Sequence, residues 1–182
     1  MLVSEGTYLG LATALWFILP AYVANGGACL IHDKRPVDGG KVAWDGHRLI
    51  GDGVTWGGLL SGTTMAIVFS IIQFYFSKTF LDYYPIADAS VYDAAMLGAL
   101  LGFGALFGDM TESFFKRRMG IERGRPLIML DQWDFLIGAL LFASLIYVPP
   151  NSDILILFIL TPILHFGTNF LSNKVGLKEV PW

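Results

Sequence analysis

Five long apolar stretches, at about residues 7–30, 57–77, 92–114, 133–149 and 153–171, constrain this chain more than any other feature. Crossing a bilayer takes roughly 20 consecutive apolar residues. The fourth stretch is the shortest, because Pro149-Pro150 ends it and only Asn151, Ser152 and Asp153 precede the fifth. A lone strand cannot satisfy its backbone in lipid, so each stretch is expected to be a helix. Composition agrees: 54% of the 182 residues are hydrophobic, 15% are charged, and mean hydropathy is +0.59. A soluble domain would carry nearer a quarter of charged residues. The expectation is an all-α polytopic membrane protein with five transmembrane helices, forming one domain over residues 1–182. No repeat, linker or low-complexity tract interrupts it.

Lys and Arg set the expected orientation. Eleven of the 12 lie in the 31–56 loop, the 115–132 loop or the C-terminal tail, leaving Lys78 beside Asp82, Asp88 and Asp93. By the positive-inside rule the N-terminus is outside, and both long loops and the C-terminus are cytoplasmic. Tyr83, Tyr84 and Pro85 read as an interfacial aromatic anchor in the outer loop. No Lys or Arg precedes Lys34 and Glu5 is acidic, so the N-terminus does not read as a cleaved signal peptide. The single Cys29 excludes an internal disulfide and a cysteine metal cluster, and is expected to be a small packing residue.

Polar chemistry gathers in the two cytoplasmic loops. The first contains Asp38-Gly39-Gly40-Lys41, then Arg48 and Gly51-Asp52-Gly53-Val54-Thr55-Trp56-Gly57-Gly58. It lacks the Walker pattern. Even so, glycines beside Lys41 and Arg48 could let backbone N–H groups approach phosphate oxygens. A helix beginning near Thr55 would aim its N-terminus at the same anion. A solvated Gly-rich turn with a helix cap explains the same residues.

The second segment is sharper. Asp109, Glu112, Ser113, Lys116 and Arg117 are spaced i, i+3, i+4, i+7, i+8 and share one helical face. Charge at membrane depth is costly, so that face must look onto a polar cavity. Asp131 and Asp134 lie i, i+3 at the start of the next helix. Carboxylates from two helices suit Mg²⁺, which takes oxygen ligands shared with substrate phosphates. Lys116 and Arg117 are expected at phosphate, and Arg118 at lipid head groups. Asn25 can line the cavity or bond a neighbouring helix, whereas His165, Thr168 and Asn169 read as packing groups. His32 and His47 fit no ligand pattern. Gly102, Gly104 and Gly108 are expected to permit close helix packing.

Taken in order, Gly108-Asp109, Glu112-Ser113, Lys116-Arg117, Gly120, Asp131 and Asp134 resemble the signature of the membrane CTP:phosphatidate cytidylyltransferases. The chain is still more similar to their archaeal relatives, the CDP-archaeol synthases. It resembles these in its size and five spans, in Pro20-Ala21 followed by Asn25, and in the Gly51–Gly58 loop. The Arg123-Gly124-x-Pro126 approach to Asp131-Gln132-x-Asp134 is similar too, so the likeness covers roughly residues 20–140. The wider family's His-Gly-Gly-x-x-Asp-Arg run is replaced by Leu130-Asp131-Gln132-Trp133-Asp134-Phe135. The acids remain; the glycines and the Arg are lost.

The resemblance implies transfer of CMP from CTP to a polyprenyl-ether glycerol phosphate, giving CDP-archaeol and pyrophosphate with Mg²⁺ as cofactor. It assigns Asp109, Asp131 and Asp134 to metal, and Lys116, Arg117, Lys41 and Arg48 to phosphates. The loop Gly51, Asp52, Gly53, Thr55, Trp56 and Gly58 would hold the nucleotide. Asn25, Asp38, Gly39, Glu112, Ser113 and Gln132 would complete its surroundings. The expected partners are CTP, the lipid and the bilayer, with no nucleic acid, at a cell-membrane site facing the cytoplasm. A CDP-diacylglycerol synthase acting on ester lipids is an alternative. The CDP-alcohol phosphatidyltransferase motif is absent, since Asp38-Gly39 leads into Gly40-Lys41-Val42. An ion-coupled transporter is the rival of a different class, but no inverted repeat is visible and the charges gather at one face.

Overall fold

The computed structural model describes residues 5–31, 33–81, 84–86, 88–121 and 130–174. It consists of five helices: α1 (Glu5–Ala28), α2 (Trp56–Phe76), α3 (Val91–Arg118), α4 (Leu130–Ala143) and α5 (Asn151–Lys174). A π-helical turn, Ser77–Leu81, continues α2. Among the described residues there is no strand, only isolated bridges pairing Pro36 with Thr55 and Val42 with Arg48. The all-α expectation therefore holds. Among the described residues, three helical segments are long and apolar enough to cross a membrane: Gly10–Ala28, Trp56–Thr79 and Val91–Arg118. Asn151–Leu164 is a shorter apolar helix, and α4 has 14 residues. α4 begins earlier than its apolar run and stops at Ala143, where a turn opens.

α3 is the central element and packs against α4, α2 and α1. Lipid tails are as apolar as Leu, so close backbone packing has to replace hydrophobic drive between the helices. Glycine makes that possible here. A β-carbon on Gly108 would fall on the Asp134 carbonyl, and one on Gly138 on the Gly104 carbonyl. Gly98 and Gly102 bring α3 equally close to Ser70 and Ala66 of α2, as the glycine spacing anticipates. Ile18, Ala21, Leu101, Ala105, Phe135, Leu136 and Leu157 fill the remaining centre with four helices' side chains.

Two internal prolines explain two long-range hydrogen bonds. Proline has no N–H, so each frees the carbonyl four residues back. Pro20 frees Trp16 O, which accepts from Gln73 Nε2 of α2 at 2.8 Å. Pro162 frees Phe158 O, which accepts from Trp133 Nε1 of α4 at 3.0 Å. Each freed carbonyl thus becomes a cross-helix tie, as backbone satisfaction in lipid requires.

Three smaller expectations are corrected. Tyr84 turns inward, sharing a hydrogen bond with Ser70 Oγ at 3.2 Å and meeting the Phe74 ring edge-on, so it is a packing residue. Cys29 is exposed, because α1 has ended one residue before it. Arg118 faces protein, as described below. Tyr83, Asp82, His32 and the Arg123-Gly124-x-Pro126 approach lie outside the described residues, as do the side chains of His165, Thr168 and Asn169.

Candidate active site

The loop between α1 and α2 is folded around one carboxylate. Asp38, 6% exposed, accepts from the N–H groups of Gly40 (3.0 Å), Ile50 (3.0 Å) and Gly51 (2.9 Å) and from Arg48 at 2.8 Å. Burial opposes ionisation of Asp38. The bonds from Arg48, Gly51, Ile50 and Gly40 prevail and hold its carboxyl well below the usual carboxylate range. Gly51 makes the turn with φ +110, a backbone conformation open to glycine, and a β-carbon there would lie 3.6 Å from Arg117 Nε. Arg48 also pairs with Asp52 at 2.8 Å. Asp38 thus organises the loop from inside it.

Two arginines at the end of α3 pin this loop down. Arg118 donates to Arg48 O at 3.0 Å and Leu49 O at 2.9 Å, and pairs with Asp45 at 3.4 Å. Its guanidinium lies 4.1 Å from the Phe114 ring centroid and 5.6 Å from that of Trp44. This replaces the expected contact with lipid head groups: carbonyls at a folded turn offer Arg118 fixed acceptors. Arg117 bonds Ile50 O at 3.4 Å and Ile121 O at 2.6 Å.

The start of α2 is already satisfied. Trp56 N–H donates to Arg35 O (3.1 Å), Gly57 N–H to Asp33 Oδ2 (2.8 Å), Gly58 N–H to Thr55 Oγ1 (3.1 Å) and Leu59 N–H to Thr55 O (2.9 Å). The expectation of an anion on this helix terminus is corrected, because Asp33 supplies the negative charge from within the chain. Asp33 was not foreseen; 24 residues separate it from its N–H donor, and no local pattern marks such a cap.

On the other side, α3 and α4 bring the acids together. The Gly108–Asp134 backbone contact puts Asp109 and Asp134 at the same level of the helix pair. One to two turns further along α3, Lys116 pairs with Glu112 at 2.5 Å and with Asp131 of α4 at 2.9 Å. Asp109 stands in the electrostatic field of Asp134, Glu112 and Asp131, with Lys116 as the countercharge. Gln132 is buried beside them. Four carboxylates near one ammonium leave an excess of negative charge that is costly at a membrane edge. Among the described residues no three His, Cys, Asp or Glu side chains form a ready ligand set. The donor chemistry, all carboxylate oxygen, nevertheless fits a hard divalent cation.

Two cavities meet at the Asp52-Gly53 turn. The larger, of about 360 Å³, includes Asn25, Cys29, Asp33, Thr55, Gly58 and Asp109 in its wall. The smaller, of about 260 Å³, is bordered by Arg48, Gly51, Glu112, Ser113, Lys116 and Arg117. One is acidic at its inner end; the other carries three cations. Of the residues expected at the site, Asp38, Asp131, Gln132 and Asp134 line neither cavity, Gly39 and Lys41 lie on the exposed side of the loop and line neither, and Trp56 faces a third one.

The helical fold and this site define a class: a membrane enzyme with a polar pocket sunk at one end of an apolar bundle. Residues 8–182 match the family described as CarS-like, CDP-archaeol synthase. The CDP-archaeol synthase of Thermococcus gammatolerans is 43% identical over 169 residues, covering 93% of this chain and 95% of that protein. That of Methanopyrus kandleri is 43% identical over 180 residues, covering 98% and 97%. A solved structure of an intramembrane enzyme for archaeal membrane lipid biosynthesis superposes with a TM-score of 0.73 at 37% identity, covering 86% of this chain and 92% of that one. The chain belongs to the CDP-archaeol synthase family, and with it to the CTP-dependent cytidylyltransferases of lipid biosynthesis.

Proposed function

We propose that this chain transfers CMP from CTP to an isoprenoid-ether glycerol phosphate at the junction of the two cavities. The single observation that carries this reading is the meeting of Asp109, Asn25 and the Asp52–Thr55 turn in one cavity, against a second lined by Arg48, Lys116 and Arg117. A lipid phosphate monoester has a second pKa near 6, so at neutral pH it is mostly a dianion and needs no protein base to become a nucleophile. Its oxygen attacks the α-phosphorus of CTP, the bond to the β-phosphate oxygen breaks, and pyrophosphate leaves with that electron pair. The protein's contribution is positioning and charge neutralisation. Arg48, Lys116 and Arg117 neutralise phosphate oxygens from the smaller cavity. The Gly51–Gly58 turn, held rigid by Asp38, seats the nucleotide.

Asp109, Asp131 and Asp134 are the residues that would hold Mg²⁺, which would supply neutralisation of phosphate charge. All five helices cross the cell membrane in this reading, α4 and α5 as the shorter crossings, with the N-terminus outside and the cavities open to the cytoplasm. Product analysis tests it. Purified protein is incubated with CTP, Mg²⁺ and a mixture of ether and ester lipid phosphates, and lipids are read by mass spectrometry. CDP-linked ether lipid is the expected product. A preference for the ester lipid would favour the diacylglycerol-type reaction, and cation flux without nucleotide binding would favour a transporter.

A further inference from the structure

The loop that carries Asp38 includes a hairpin whose tip lines neither cavity. Ala43 N–H donates to His47 O at 2.8 Å and Leu49 N–H to Lys41 O at 2.9 Å, while Val42 pairs with Arg48. The chain reverses over Ala43–Gly46, where the Gly46 N–H bonds Ala43 O at 3.2 Å and Gly46 adopts φ +80. The hairpin is thus held by its own backbone, and the Ile50 and Gly51 N–H groups fix its base on Asp38. What it presents outward is apolar. Trp44 is 83% exposed and Val42 58%. An indole held out on a rigid turn marks a contact surface.

The neighbours of Trp44 indicate what covers it. Its ring lies 6.3 Å from that of Phe114, with the Arg118 guanidinium against both. Phe114 and Arg118 belong to the end of α3, where the apolar length Val91–Arg118 finishes. Phe115 beside them and Met119 just after them are exposed as well. Trp44 therefore stands level with the end of a membrane-crossing helix, the depth at which tryptophan rings settle in bilayers. Charge fits the same surface. Asp45, the acid at the tip, is paired with Arg118 at 3.4 Å, so its charge is compensated. Lys41 is exposed and lines neither cavity, which leaves its ammonium turned away from the site and beside the apolar tip. A lysine at that depth is attracted to anionic head groups.

We propose that the 41–48 hairpin is a foot on the bilayer surface at this end of α3, with Trp44 and Val42 among the head groups and Lys41 on an anionic lipid phosphate. The partner is the bulk lipid surface and not the lipid that reacts. The foot fixes the height above the membrane of Arg48, Ile50 and Gly51, which border the smaller cavity. This rests on the reading of α3 as a membrane crossing and is independent of the reaction assigned to the site.

Collision accessibility of spin labels tests it. The full chain is placed in nanodiscs of anionic lipid with Cys29→Ser and one nitroxide, at Val42→Cys or, on the exposed flank of α3, at Phe107→Cys. Both labels should collide readily with oxygen, which concentrates in lipid, and poorly with a water-soluble nickel chelate. Trp44→Ser should raise nickel collision at position 42 about threefold, and Lys41→Glu should do so in anionic discs and less in zwitterionic ones. Neither change should alter position 107. A label at position 42 as open to nickel as one in water, or shielded from both reagents by a protein partner, would overturn the foot. So would an unchanged label in Trp44→Ser, or a response to Lys41→Glu that is absent or equal in the two lipids. A nickel-accessible label at position 107 would instead overturn the crossing of α3 beneath it.

Discussion

Single residues in this protein do more structural work than their positions suggest. Asp38 is the clearest case, because four donors converge on its two oxygens. Asp38→Asn removes the charge and leaves an NH₂ facing N–H donors, at a cost of about 2 kcal/mol to the loop. Limited proteolysis should cut the variant's 39–50 segment faster than wild type while the helices stay intact. The same residue gives a pH signature. Its folded pKa lies below the unfolded value of about 4, so its stabilisation is present above pH ~4 and disappears as pH falls through the folded value. Loop protection in the wild type should therefore decline on acidification below pH ~4, and Asp38→Asn should lack that decline. Unchanged proteolysis of the variant would mean that Arg48 and the bridges hold the loop alone.

At the scale of helices, the two proline ties and the glycine seam set the geometry. Gln73→Leu leaves Trp16 O without its partner and should lower stability by about 1 kcal/mol, read as a lower unfolding midpoint in detergent. Gly138→Ala drives a methyl into the Gly104 carbonyl and the Gly108 backbone. Overpacking of that kind costs about 1–3 kcal/mol. It should also move Asp134 relative to Asp109 and so reduce turnover. Gly167→Ala, where nothing lies within 4 Å of an added β-carbon, is the matched control and should be neutral. A Gly138→Ala protein as stable and active as this control would refute the seam.

These elements also mark how far the chain could be read before its structure. Apolar length announced the helices, and the spacing of Asp109, Glu112 and Lys116 announced their shared face, because both are periodic over a few residues. The helix glycines were legible for the same reason. Asp33 capping α2, Gln73 reaching Trp16 O and Arg118 turning back onto Arg48 and Leu49 were not. Each joins residues 24 to 70 positions apart, and no local period carries that information. Arg118 was misread because a cation ending an apolar helix has two good destinations, head groups or loop carbonyls, and only the folded loop decides between them.

For the molecule as a whole, Cys29 is a built-in reporter. It is the single cysteine, it is exposed at the end of α1, and it lines the larger cavity. A membrane-impermeant maleimide should label it in inside-out vesicles and not in right-side-out ones, and CTP with Mg²⁺ should slow the labelling. Labelling from the outer side would invert the proposed orientation. Labelling indifferent to CTP would remove the nucleotide from this cavity.

The acids at the α3–α4 crossing are the centre of the proposed chemistry, and one measurement reaches them directly. Transfer of radiolabelled CMP from CTP to ether lipid phosphate is followed in purified wild-type, Asp109→Asn and Asp134→Asn proteins of matched stability. Each variant should lose at least about a hundredfold in turnover, in line with removing one preorganised electrostatic contact to the transition state. Near wild-type transfer in both would contradict the placement of the reaction at Asp109 and Asp134.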